Sequence, residues 1–63
     1  MNIDKLKGRM KEKRMTQPQV AEALNMSLKT FNIKLNKGRF YTDEIATLIK
    51  LLEIENPVEF FLS

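Results

Sequence analysis

The sequence predicts an all-α protein, one small domain of five helices. Apolar residues recur at 3.6-residue spacing in successive segments. Helix-start and helix-stop residues bracket those segments. No stretch alternates apolar and polar residues as a half-buried strand does. With 63 residues there is room for one domain, spanning residues 1–63. A chain this short buries only about 60% of the surface its unfolded form exposes. Partner binding or self-association would therefore add usefully to its stability.

Ile3, Leu6 and Met10 mark the inward side of a first helix over about residues 3–13, with Asn2 as its N-cap. Thr16-x-x-Gln19 is a capping box that opens a second helix, and Pro18 falls in its first turn, where a missing N–H is tolerated. Val20, Ala21 and Leu24 form the inward face of this short helix. Asn25-Met26-Ser27 makes the following turn, since Asn tolerates the left-handed conformation and Ser27 can cap the next helix. Phe31 and Leu35, four residues apart, bury the third helix, which ends before Gly38. A fourth begins at Thr42, with Asp43 and Glu44 at its positive end. Its stripe of Ile45, Leu48, Ile49 and Leu52 is the strongest in the chain. Asn56-Pro57-x-Glu59, an N-cap followed by Pro at the first helical position and a capping-box Glu, signals a last helix over about residues 57–62.

Composition narrows the function. There is no Cys and no His, so disulfides, thiolate metal sites and the commonest general base are all missing. Met1, Met10, Met15 and Met26 are scattered and suit gap filling in a core rather than metal ligation. Asp43 with Glu44 and Glu53 with Glu55 read as helix-end and solvated acids rather than catalytic pairs. Without a Gly-rich phosphate loop or room for a buried pocket, neither an enzyme nor a cofactor is expected. The charged start has no apolar leader core, and no apolar run is long enough to span a membrane, so a soluble cytoplasmic protein is expected.

Charge is segregated along the chain. Residues 1–40 hold ten Lys and Arg against three acids, a net +7. Residues 41–63 hold one Lys against five acids, a net −4. The first part attracts a polyanion and the second repels it. Lys34, Lys37 and Arg39 cluster at the end of the third helix, where both the helix dipole and a phosphate can hold them.

Two short helices joined by a tight turn form a helix-turn-helix unit, here over about residues 16–38. Ala21 is small where the two helices cross, Asn25 permits the turn, and Met26 fills the space beneath it. On Thr16-Gln17, Val20-Ala21, Leu24, Met26-Ser27, Thr30-Phe31 and Gly38, the unit resembles that of the Cro/repressor-type (xenobiotic-response-element-type) phage regulators. The resemblance implies a compact lambda-repressor-like domain and a cytoplasmic, nucleoid-associated transcription regulator. It implies that the third helix, residues 28–36, enters the major groove of an operator. Gln17 would then hold a phosphate. Leu28, Lys29 and Ile33 would face base edges, with Thr30 and Asn32 beside them. Ser27, Asn36, Lys37 and Arg39 complete the candidate DNA-binding set.

The chain departs from the family at two places. Leu35 stands where many relatives carry an acid, and Met10 where its basic partner sits, so an apolar contact is expected in place of an ion pair. Leu28 and Ile33 are apolar and can meet a thymine methyl but cannot hydrogen-bond a base, which leaves Lys29 and Asn32 for polar readout.

The C-terminal Val58, Phe60, Phe61 and Leu62 exceed what one short helix can bury. They are the candidate contact for a weak homodimer strengthened on DNA. An antirepressor or antitoxin-like module, using the same fold to hold a partner repressor protein, is the alternative function.

Overall fold

Asn2 Oδ1 accepts a hydrogen bond from the Lys5 N–H at 3.0 Å and opens α1 (Ile3–Glu12). Thr16 and Gln19 cap each other at 2.9 and 3.3 Å and open α2 (Gln17–Ala23). Ser27 Oγ accepts from the Thr30 N–H at 3.1 Å and opens α3 (Leu28–Lys37). Two further helices follow, α4 (Thr42–Leu51) and α5 (Pro57–Phe61). This computed structural model describes residues 1–62, and no strand occurs among them.

α1 to α4 all end in the same way. One residue turns left-handed: Arg14 (φ 56°), Asn25 (59°), Gly38 (65°) and Glu53 (50°). The N–H of the residue after it reaches back across the last turn. Met15 bonds the Met10 carbonyl, Met26 that of Ala21, Arg39 that of Lys34 and Ile54 that of Ile49, at 2.9–3.0 Å. This pattern satisfies carbonyls that the helix end leaves free. The Asn25 and Gly38 turns follow from residue type. Arg14 and Glu53 carry no such signal, and the apolar residues after them, Met15 and Ile54, are its trace.

The last helix starts differently from expectation. Asn56 makes no side-chain cap hydrogen bond and its backbone (φ −121°, ψ 72°) is not extended. Its own carbonyl takes the Glu59 N–H at 3.1 Å, and Pro57 has no N–H to offer.

The core gathers residues from every helix. Leu6, Met10, Val20, Ala21, Phe31, Leu35, Leu48, Leu52, Ile54 and Phe60 are buried together, and no polar or charged residue among those described is buried with them. Met10 and Leu35 both lie in this apolar cluster, 3% and 1% exposed. Phe40 stacks at a tilt on Phe31, ring centres 5.8 Å apart. The Asn2 N–H donates to the Phe60 carbonyl at 2.8 Å and ties the start of α1 to α5.

Candidate nucleic-acid interface

Burying Phe31 and Leu35 fixes which side of α3 faces out. Residues four apart lie above one another on a helix. Lys29, Ile33 and Lys37 therefore form one ladder on the side opposite the core. Lys29 and Ile33 are exposed, Ile33 at 47%, and Lys37 is exposed at the ladder's end. Asn36 and Thr30 are exposed beside this ladder, and Asn32 is half-buried at its edge. Leu28, 42% exposed, leans over a shallow cleft with Pro18, Ala21 and Glu22. Gln17 is half-buried at the first position of α2, and Arg39 is exposed just past the end of α3.

Ser27 donates its hydroxyl proton to Thr30 Oγ1 at 3.0 Å while accepting the Thr30 N–H. Ser27 thus has no proton left for an incoming acceptor. Thr30 keeps its own hydroxyl proton and can donate to a phosphate or base oxygen.

Charge at this surface is one-signed. No acid occurs between Glu22 and Asp43, while Lys29, Lys34, Lys37 and Arg39 all do. Lys34 is withdrawn from that set. Its Nζ bonds both carboxylate oxygens of Glu44, at 2.9 and 2.7 Å, and lies 4.1 Å from the centre of the Tyr41 ring. Glu44 Oε1 also takes the Tyr41 N–H at 2.7 Å, which caps α4 where Tyr41 itself cannot. This staple fastens the end of α3 to the start of α4. Lys29, Lys37 and Arg39 make no ion pair among the described residues.

The staple predicts how stability depends on pH. Burial alone would raise the Glu44 carboxyl, but the Lys34 hydrogen bonds, the Tyr41 N–H and the Lys34 charge together hold it below its ordinary value. A carboxylate lowered on folding stabilises the native state above its unfolded value. That contribution is therefore complete above about pH 4.5 and vanishes as pH falls through the lowered folded value. We expect Glu44→Gln to unfold at lower denaturant than wild type at pH 7, by about 1 kcal/mol. The gap should narrow progressively as pH falls below about 4.5. A gap of constant size through that fall would contradict this role.

The segregated charges of the sequence meet in space. Lys5 pairs with Glu59 at 2.7 Å and Lys13 with Glu53. Arg9 donates to the backbone carbonyls of Leu52 (2.8 Å) and Glu53 (2.9 Å) and closes the end of α4. The Lys13 hydrogen bond and charge, with the Arg9 charge, hold the Glu53 carboxyl below its usual range. Residue type gave no hint of these pairings, which join positions forty or more residues apart.

The C-terminal candidates separate into two groups. Phe60 is only 8% exposed. It is packed into the core cluster, so it is removed from the dimer candidates. Phe61 is half-buried. Val58 and Leu62 are exposed at 64% and 78%.

Residues 1–62 match a family described as a protein of unknown function (DUF739). The chain belongs to the DUF739 family. No curated protein and no solved structure matches it. Among the described residues, no group of side chains in this DUF739 chain could hold a metal ion, and no helix is long and apolar enough to cross a membrane.

Proposed function

We propose that this protein is a sequence-specific, double-stranded-DNA-binding regulator of Cro/repressor type, in which α2 and α3 act as the helix-turn-helix. The observation that supports this most is the outward side of α3. It carries unpaired Lys29 and Lys37, with Arg39 beyond, while Lys34 is tied to Glu44. The major groove admits a helix of this kind. Lys29 suits guanine O6 and N7, Asn32 suits adenine N6 and N7, and Ile33 and Leu28 suit a thymine methyl. Gln17, Thr30, Asn36, Lys37 and Arg39 hold the backbone. Binding releases counterions from the phosphates. Occupying an operator on the nucleoid of a phage's bacterial host then blocks polymerase or a competing repressor.

One recognition helix reads few base pairs, so two subunits on half-sites one helical turn apart complete the mechanism. Val58, Phe61 and Leu62 are the contact for that pairing. A patch so small buries well below about 1,200 Å², which makes the free dimer weak and DNA its reinforcement. The exposed apolar Leu28 and Ile33 are also what a protein-binding antirepressor or antitoxin-like module would present, and that is the second reading.

Binding to random and operator-like duplexes at several salt concentrations separates the two. With three to five phosphates held per subunit, log affinity against log salt should fall with a slope of roughly −3 to −5 per subunit. No measurable binding to any duplex at low salt would reject the DNA reading in favour of the protein-binding one.

A further inference from the structure

α1 carries two cationic ladders, and only one of them is used by the fold. Lys5, Arg9 and Lys13 succeed one another at four-residue intervals and are bound to Glu59, to the Leu52 and Glu53 carbonyls, and to Glu53. Lys7 and Lys11 lie two residues out of step, about 200° around the helix. They are exposed and make no ion pair among the described residues. Arg14, just past the helix end, extends this second ladder and is exposed and unpaired in the same way. Neither acid of α1 forms an ion pair with it among the described residues: Glu12 lies 3.9 Å from Arg9, and Asp4, one turn before Lys7, makes no ion pair. Like charges at four-residue spacing destabilise a helix, a cost that the helix dipole offsets only in part, at Lys11 in the last turn.

The ends of the ladder are located by their neighbours. Ile3 precedes Lys7 by one more four-residue step, and its Cδ1 lies 4.0 Å from where a Cβ on Gly38 would sit. One helical turn before Lys7, α1 thus packs against the turn that lies between Lys37 and Arg39. Only Met15 and Thr16 separate Arg14 from Gln17. The ladder thus runs from near the end of α3 to near the start of α2, about 10 Å along α1. Both ends lie near residues proposed above to hold DNA.

We propose that Lys7, Lys11 and Arg14 form a second phosphate-binding strip that grips the sugar–phosphate backbone of duplex DNA beside the recognition helix. This rests on the DNA-binding reading of α3. The strip gives affinity and register without reading bases. It explains why the N-terminal helix is cationic on a side where the fold needs no cation.

The test is the salt dependence of binding to a duplex selected from a random pool, measured for three proteins. For Lys7→Gln/Lys11→Gln/Arg14→Gln, the slope of log affinity against log salt should become shallower than wild type by about 2–3, near 0.9 for each phosphate no longer neutralised. Lys50→Gln removes an exposed cation from α4, remote from the strip in sequence, and should leave the slope unchanged. Circular dichroism should show all three equally folded, since none of these side chains is paired. A triple variant with the wild-type slope, or a Lys50→Gln slope that falls by as much per charge removed, would overturn the strip alone. A wild type that binds no duplex would overturn the DNA reading and the strip together.

Discussion

Leu35→Ala should lower the free energy of unfolding by about 2–4 kcal/mol, the usual penalty for truncating a buried leucine. Leu35 is 1% exposed within a cluster that holds residues from all five helices. A 63-residue domain has a total stability of about 3–9 kcal/mol, so the variant should be partly unfolded at 37 °C. Leu35→Glu should be worse, because it also leaves a charge among apolar neighbours without a partner. Pairing it with Met10→Arg should restore part of the loss, since the two positions share the buried cluster and opposite charges there can pair. Chemical denaturation of wild type, the two single variants and the double variant gives the double-mutant cycle. If Leu35→Glu keeps wild-type stability, or if Met10→Arg adds nothing back to it, the assignment of this pair to the core interior is wrong.

Lys29→Ala should cost about 1–3 kcal/mol of DNA affinity and relax the preference at one base pair. The expectation follows from position. Lys29 is on the outermost ladder of α3, in its first turn, and no acid among the described residues pairs with its ammonium group. Lys34 is the internal contrast. Its ammonium is held by Glu44, and Lys34→Ala should therefore act mainly on stability. Binding measured against a panel of single-base variants decides the role of Lys29. Uniform weakening across the panel, with a salt slope smaller by about 1, would move Lys29 from base to phosphate.

The helices themselves were legible because local rules wrote them. The Thr16–Gln19 box, the Ser27 cap, the Asn25 turn and the Gly38 stop are each decided within four residues of chain, and the apolar stripes then choose the inward sides. Phe31 and Leu35 fix the outward side of α3, so the exposure of Lys29, Ile33 and Asn36 followed from spacing alone. Features decided across the fold were not legible. Arg9 closing the end of α4, Lys13 on Glu53 and Lys5 on Glu59 depend on how α1 lies against the C-terminal segment, and no local pattern encodes that. Lys34 looked like its neighbours Lys37 and Arg39 until α4 placed Glu44 beside it. Phe60 and Leu62 are both large and apolar, and only the packing of α5 against α1 decides that Phe60 is buried and Leu62 exposed. Asn56 carried the residue type of a cap, but the backbone carbonyl took the donor first.

The left-handed residues that end the helices bear on how this chain can change over generations. Three of the four are not glycine, and each such residue carries a strain of about 1 kcal/mol that glycine would not. Asn25 and Glu53 are therefore places where one substitution can raise stability without touching the core, the outward side of α3 or the proposed strip on α1. In a small domain that margin matters. A change on the outward side of α3 that altered specificity but weakened the fold could be compensated at a helix end far away in sequence. The helix ends are thus a reserve of tolerance that can offset destabilising changes elsewhere on the surface of this small domain.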